Sequence, residues 1–489
     1  MNRFFRKKLK ALHSHIDIKE GDNGSKYYYE CFSVALFVIF FSINLQAAQS
    51  TNDEKKNSVL FTKETITSSS QTSDSLNALF GLEQPSSKPY PVTSGWRGFS
   101  QYELAYTYAD PEHFSKSRLR TELSLAGQLN RKVKWKIGAR FDYDAIHDLS
   151  RFYPHAVRRD QRAELFIREN YLDVSAGDFD IRIGRQHIVW GEMVGLFFAD
   201  VVSAKDMREF VLPDFDILRI PQWAVRTEYS KNDFHADLIW IPFASIDESG
   251  RPGAEFFPLA LPLQAAFLKE DRSGHNPSNS NYGIRLSQLI NGWDLSAFYY
   301  NSIDAAPTFY RVSSLFEPLT FQARHDRIDQ FGGTLTKDLG ISVLKGELVY
   351  TDGRKFNSLN PFQQDGLIKQ DTLDYALGLD FNLPAETRFN LQFFQRIFFN
   401  HNPDIIPAAA ESGVTFFLHN AFKQNWETQV LLIHSLNRSE WMLRPKLIWK
   451  FQKNWRFALG ADVFNGKSAR FFGRFDNNDR VYTEVRFSF

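Results

Sequence analysis

The feature that most constrains this chain is a two-residue period running from Trp96 to the final residue, Phe489. Val133, Trp135, Ile137, Ala139, Phe141 and Tyr143 share one face, with Lys134, Lys136, Gly138, Arg140 and Asp142 on the other. Leu373, Tyr375, Leu377, Leu379 and Phe381 alternate in the same way with Asp374, Ala376, Gly378 and Asp380. Such a pattern fits strands with one apolar and one polar side. Eighteen candidate strands follow, from 96–108 to 480–489, the fourth at 162–176 and the fifth at 179–189. Even-numbered strands end in tight turns such as Gly177-Asp178, Asn291-Gly292 and Lys453-Asn454, whereas odd-numbered ones mostly lead into long loops, as at 190–221, 243–281 and 303–325. A soluble sandwich has no reason to sort its connections by parity. An all-β transmembrane barrel, antiparallel and up-and-down, with short periplasmic turns and long extracellular loops, does.

Composition agrees. The 58 Lys and Arg nearly balance 57 Asp and Glu, which argues against a nucleic-acid partner held by bulk basicity. No apolar run approaches the roughly 20 residues of a membrane-spanning helix. The single cysteine, Cys31, excludes a disulfide scaffold and a cysteine-based zinc site. Neither G-x-S-x-G nor H-E-x-x-H occurs. We therefore expect no enzyme, cofactor or metal; His187 alone, near Glu169 and Arg185, merits a test as a catalytic group.

Three regions are expected. Residues 1–48 combine Arg3, Arg6, Lys7, Lys8 and Lys10 with an apolar stretch, Phe32–Leu45, and small residues after it, the layout of a secretory signal peptide. Residues 49–95 read as a polar periplasmic linker or small plug, with one amphipathic patch at Asp74–Leu82. Residues 96–489 form the barrel, placed in the outer membrane of a Gram-negative cell. Trp135, Trp293, Trp426 and Trp455 each follow a short turn and would mark a periplasmic aromatic girdle. The alternation ends on Phe489, which resembles the C-terminal signal read by the barrel-assembly machinery. Outer-membrane lipid and lipopolysaccharide are the other expected partners, with a periplasmic export partner as a further candidate.

Turning the polar face inward lines a lumen with Arg118, Arg120, Lys134, Lys136, Arg140, Arg182, Arg226, Arg285, Lys345, Arg388, Arg396, Arg444, Lys446, Arg456 and Arg486. The acidic counterparts are Glu122, Asp142, Glu228, Asp237, Asp294, Glu347, Asp374, Asp380, Asp462 and Glu484. Fifteen against ten predicts a preference for anions, unless these groups serve as ion-pair ladders between strands. The loop 190–221 carries Glu192, Asp200, Asp206, Glu209, Asp214 and Asp216 against Lys205, Arg208 and Arg219. Its length suggests function, and we expect a constriction folded inward, with a short helix over Ala204–Val211 capped from Ser203 and Asp206. Glu169 and Arg185, where the alternation of strands 4 and 5 falters, are expected opposite each other, turned inward by a bulge at Gly184.

Gly184-Arg185-Gln186 with Trp190-Gly191-Glu192, followed by Asp200-Val201-Val202, Met207-Arg208-Glu209 and Arg219-Ile220-Pro221, resembles an uncharacterised family of Gram-negative outer-membrane barrels known by a domain-of-unknown-function label. Size and strand number are also similar to the alginate-export porin, without any motif specific to it. The resemblance implies location and fold and leaves the cargo open. The expected function is a porin-like channel for diffusion or export of polar solutes, anionic or sugar-like. The competing readings are a transporter of hydrophobic compounds, collecting them on the stretch Phe256–Leu263, and a structural or adhesive barrel with a closed lumen.

Overall fold

The computed structural model of the protein describes residues 95–193, 198–258, 265–272, 279–314, 317–468 and 470–489. The expected signal peptide and all but the last residue of the expected linker or plug lie outside them.

Eighteen strands form one closed antiparallel barrel. In chain order they are β1 (Arg97–Thr107), β2 (His113–Asn130), β3 (Val133–Asp144), β4 (Ala163–Ile167, resuming at Asn170–Ala176), β5 (Phe179–Gln186), β6 (Gln222–Lys231), β7 (Phe234–Phe243), β8 (Asn281–Ile290) and β9 (Trp293–Ile303). They continue as β10 (Arg327–Asp338), β11 (Ser342–Asp352), β12 (Thr372–Leu383), β13 (Thr387–Phe398), β14 (Ala410–Phe422), β15 (Trp426–Ser435), β16 (Trp441–Gln452), β17 (Trp455–Asn465) and β18 (Arg480–Ser488). Each strand pairs with its neighbours in sequence, and β1 pairs with β18 from Phe99↔Ser488 to Thr107↔Arg480. Phe489 extends this seam, its N–H and C=O bonded to Gly98 at 3.0 and 2.9 Å.

The short turns lie at one end, as the parity of the links requires. At Asn291-Gly292 both residues have positive φ, +52° and +75°, the backbone of a two-residue hairpin turn whose twist matches its strands.

The usual distribution of polarity is inverted. Leu348, Leu377, Leu391 and Leu459 point outward and are 43–50% exposed, while Glu347, Ala376, Gln392 and Ala458 beside them are buried inside. Large apolar side chains on the outside and charges inside are stable only if the outside meets hydrocarbon. Trp135, Trp293, Trp426 and Trp455 do gather at the turn end, joined by Trp449, which stacks on Trp426 at 5.6 Å and 10°. A second belt stands nearer the loop end, with Trp223, Trp240 and Tyr282 exposed and Tyr299 against Phe331 at 4.8 Å.

One strand departs from the expectation. Instead of running unbroken, β4 stops at Ile167 and resumes at Asn170. Before the gap Glu164 and Phe166 face inward, with Arg208 paired to Glu164 and the Arg140 guanidinium 4.2 Å from the Phe166 ring. After it the inward set has odd numbers: Glu169 pairs with Lys136, and Asp173 with Arg182 at 2.6 Å. The irregularity at Arg168-Glu169 reverses parity, so two consecutive side chains turn inward. Gly184 does have an unusual backbone (φ +131°), and a Cβ there would meet the Asn170 carbonyl at 2.3 Å, but it is not the hinge of the expected charge pair.

A charge on the outward face should unsettle this barrel. Leu377→Arg is expected to cost about 2–4 kcal/mol in urea titrations of the lipid-embedded protein, as lipid-facing arginines near the midplane do. An unchanged midpoint would mean that Leu377 does not face hydrocarbon.

Candidate functional site

The site is the lumen together with the loop that crosses it. After Gln186 the chain leaves the wall and does not rejoin it until Gln222. The described residues between them, 187–193 and 198–221, fold inward, which agrees with the constriction expected over 190–221, and reach nearly every sector of the wall.

Its first part docks on β6–β12. Ile188, Trp190, Ala199 and Val202 bury themselves against Ala224, Ile239, Ile241, Phe298, Tyr300 and Val349. Those wall positions are inward-facing yet apolar, which accounts for the weak charge alternation of these strands. The Trp190 indole donates to Asp237 at 2.9 Å, a carboxylate also held by Arg226. The carboxylate of Glu347 accepts three backbone amides of the loop: Glu192, Met193 (2.7 Å) and Ala199 (3.1 Å). Glu192 in turn accepts from Arg285 (3.1 Å), Thr334 (3.2 Å) and Thr336. A Cβ on Gly378 of β12 would sit 2.9 Å from the Met193 methyl, so the loop touches that strand too.

The second part docks on β1–β4 and β16–β18. Glu209 pairs with Lys116 and Arg118 and lies 3.8 Å from Arg480. Arg444 donates to the Leu212 carbonyl at 2.7 Å, and Arg140 to that of Ile217 at 3.1 Å. Arg168 bonds the carbonyls of Asp216 and, at 3.0 Å, Arg219. Within the loop Arg219 holds Asp200 at 2.8 Å.

The expected helix over Ala204–Val211 does not form. Ala204 and Lys205 pair instead with Ile220 and Arg219, and Met207 N–H donates to the Glu248 carbonyl at 2.8 Å. Only one 3₁₀ turn remains, Met207–Glu209, with Asp206 as its cap. Tertiary pairing has outcompeted the local signal.

The wall candidates face the lumen, and most are engaged in ladders between neighbouring strands. Arg120 grips Asp142 (2.9 Å) and Glu103 (3.4 Å), Arg396 lies on Asp374 (2.5 Å), and Lys345 on Asp380 (3.1 Å). Arg444 and Arg480 share Asp462 at 2.7 and 2.8 Å, and Lys446 pairs with Glu484 at 2.9 Å. Arg388 is half-buried, in register with His419. Glu103, Lys116, Arg168 and Arg480 belong to these networks but were not among the candidates. The first two and Arg480 have the parity of their charged neighbours and were legible from it; Arg168 was hidden by the β4 irregularity.

Two expectations fail. Glu169 and Arg185 are not partners: Glu169 pairs with Lys136, while Arg185 stands in register with Asn170 and Trp223. The surplus of positive charge also vanishes. The loop brings six carboxylates against three bases into the lumen, and Glu103, Glu164, Glu169 and Asp173 outnumber the added bases Lys116, Arg168 and Arg480, so the two signs come close to balance. Any ion preference must therefore come from local arrangement.

One such arrangement stands out near the turn end. Arg456 and Arg486 are register partners; among the described residues Asp214 of the loop is the one carboxylate within 4 Å of either, 3.8 Å from Arg456, with Glu484 and Glu122 acting on Arg486 from farther off. Nε and Nη2 of Arg456 are buried without a hydrogen-bond partner, and Arg486 lies over the Phe99 ring at 3.6 Å. Lys446, Tyr482 and Asp214, with Glu484 and Arg444, line a narrow crevice on this side of the loop.

The aromatic stretch beginning at Phe256 is not an open greasy surface where it is described. Phe256 is buried against Phe464 and Phe475; residues 259–264 lie outside the described set. His187 sits beside Arg168 at 3.4 Å, where burial, aided by Arg168, depresses its pKa to about 3. It is neutral and faces a cation rather than a nucleophile. Among the described residues no three His, Cys, Asp or Glu side chains gather as metal ligands.

A family described as "Protein of unknown function (DUF1302)" matches residues 31–416. The chain belongs to this family. The match extends far on both sides of the 184–223 segment that first suggested it. No curated protein matches the chain. Among solved structures it is similar to OccAB4 of Acinetobacter baumannii (11% identity, 81% of this chain and 97% of that one, TM-score 0.48). It is also similar to OccD3 of Pseudomonas aeruginosa (9%, 81% and 92%, 0.47) and to an anion-selective porin from Comamonas acidovorans (12%, 81% and 100%, 0.39). With its closed wall, sorted connections and inward loop, this DUF1302 barrel has a porin-like fold.

The loop anchors can be tested separately. Glu347→Ala strands three buried amides, each worth about 1–3 kcal/mol, so the amides of Glu192, Met193 and Ala199 should exchange faster with solvent while the wall stays protected. Asp216 behaves differently: burial pushes its pKa up to about 7, with Asp214 adding to the rise and Arg219 opposing it. Against an unfolded value near 3.9, its neutral form stabilises the docked loop at low pH, and that contribution is lost as pH climbs through 7. Protection factors at Phe215–Leu218, corrected for intrinsic base-catalysed exchange, should fall as pH rises from about 4 to 7, and Asp216→Asn should flatten that dependence.

Proposed function

We propose that this protein is an outer-membrane channel in which residues 187–221 form the constriction, and that its solutes are small, polar and anionic. The observation that carries the reading is the pair Arg456 and Arg486 with Lys446 beside the loop at Asp214. Two guanidinium groups opposite each other, Arg456 with unused buried donors, form a local positive field in a lumen that is otherwise close to charge balance. A carboxylate or phosphate on a passing solute would take the place that Asp214 only partly fills.

A second observation supports a hydroxyl-bearing solute. On the inward face of β13 and β14, Gln392, Thr415 and His419 are buried with polar atoms that have no hydrogen-bond partner, as is Asn390 Oδ1. Neutral donors and acceptors of this kind suit sugar-like groups, so an acidic sugar satisfies both walls. Passage requires no covalent chemistry. The aromatic belts and the apolar exterior support residence in the outer membrane, and the Phe489 seam against β1 supports assembly by the machinery that reads C-terminal aromatics.

Reconstitution in planar bilayers under a potassium chloride gradient tests this. The wild-type reversal potential should indicate anion preference, and Arg456→Ala with Arg486→Ala should reduce the anion-to-cation permeability ratio several-fold while conductance persists. A cation-selective wild type, or an unchanged ratio in the double variant, refutes the assignment.

A further inference from the structure

The upper segment of β4, Ala163–Ile167, pairs with β3 and, among the described residues, with no other strand. Its partner on the far side would be β5, but β5 ends at Gln186, where the chain turns into the lumen. Asp144 N–H donates to the Arg162 carbonyl and Arg168 N–H to that of Gly138, so the even-numbered residues face β3. Ladder geometry then aims the N–H and C=O groups of Ala163, Leu165 and Ile167 at the vacant side. Their side chains belong to the lipid-facing set: Leu165 is 71% and Ile167 50% exposed, beside Phe141 on β3. A backbone edge left open at membrane depth is costly, because hydrocarbon cannot hydrogen-bond to it.

Directly above this edge, β4 is entered from a short helix, α1 (His155–Gln161), whose surroundings are basic. Arg151, Arg159 and Arg162 are exposed and Arg158 half-buried. Nearby acids offset them only in part: Asp148 lies 3.5 Å from Arg162, and Asp160 is taken by Arg251 at 3.0 Å. Tyr143, which faces outward on β3, hydrogen-bonds Asp148 at 2.9 Å and thereby sets this basic group at the outer rim rather than over the lumen. From rim to midplane the flank thus presents guanidinium groups, then unpaired backbone donors and acceptors, then apolar side chains.

We propose that this flank binds a phosphorylated glycolipid of the outer leaflet. Its phosphates would rest on Arg151, Arg158, Arg159 and Arg162. Its sugar hydroxyls and acyl-linked amides would meet the open edge of Ala163, Leu165 and Ile167, and its chains would cover Leu165, Ile167 and Phe141. The order of the three chemistries matches the order in which such a lipid presents them, which a simple acyl chain or a soluble anion does not. The inference rests on the barrel spanning an outer membrane, but not on what its lumen conducts.

The full-length protein in non-ionic detergent, titrated with purified deep-rough lipopolysaccharide, provides the test. Native mass spectrometry should show a retained adduct, and the triple substitution R158E, R159E and R162E should weaken it at least tenfold while heat-modifiable gel mobility, a readout of the folded barrel, stays as in wild type. Saturation should slow hydrogen exchange at Ala163, Leu165 and Ile167 at least tenfold in wild type. Equal adduct retention by the triple variant overturns the proposal. So does equal protection of those amides by inorganic phosphate alone, or by phosphatidylglycerol, since either would reduce the flank to a generic anion or lipid contact. A protein that binds the glycolipid yet carries no current would defeat only the channel reading.

Discussion

Every other property of this barrel depends on the hydrogen-bonded seam between its first and last strands. Phe99–Thr107 against Arg480–Ser488 leaves no free edge at the closure, and a sheet left open along a whole strand would be prohibitively costly in hydrocarbon. Closure also fixes what each residue does. Once the cylinder is complete, the strand period becomes a division into lipid-facing and lumen-facing sets, and a shift by one residue would exchange them. The charges in the sequence are therefore tolerable only because the ring is shut around them.

Charges inside a cylinder still need partners. Many of the charged lumen side chains are buried, Arg120, Arg140, Asp380 and Asp462 among them, and an isolated ion there would be strongly disfavoured. The wall answers with ladders between adjacent strands, such as Arg120 with Asp142 and Arg396 with Asp374. The loop answers with its own carboxylates and, more economically, with backbone carbonyls aimed at Arg140, Arg168 and Arg444. The same ion pairs that hold the strands together thus seat the constriction. Arg456 keeps two buried donors without a hydrogen-bond partner beside the loop, and a cation left open there is where an anionic solute has something to gain.

What could be read in advance follows from the same period. Strand number, the sorting of turns and loops and the tryptophans at the turn end all express alternation, and the long break in it at 190–221 marks the loop that turns inward. Three things were not visible. The parity change at Arg168-Glu169 looks in sequence like noise, so Glu169 was matched with Arg185 instead of Lys136. The Ala204–Val211 segment has a sound helix cap signal, but its partners, Arg219–Ile220 and Glu248, are remote in sequence. The lumen charge was misjudged because wall residues can be counted from alternation, whereas a loop reveals its side of the wall only once folded. Anion preference could not be inferred from a sum that omitted the constriction.

The β4 irregularity and the inward loop are two views of one event. For residues 187–221 to enter the lumen, β5 must leave the wall at Gln186, well below the level that β4 reaches at Ala163. The upper part of β4 then loses its neighbour, and the reversal at Arg168-Glu169 makes use of that loss. It turns Arg168 onto the loop carbonyls, where it helps fix the root of the constriction, while Leu165 and Ile167 remain on the lipid side. A straight, fully paired β4 would keep the wall intact but would remove Arg168 from the loop or place Glu169 in hydrocarbon. The cost of building a constriction from the wall's own chain therefore appears as an open edge on the outside. That edge couples the lipid environment to the loop through one short segment: whatever covers Ala163–Ile167 also steadies the strand from which Arg168 reaches the pore.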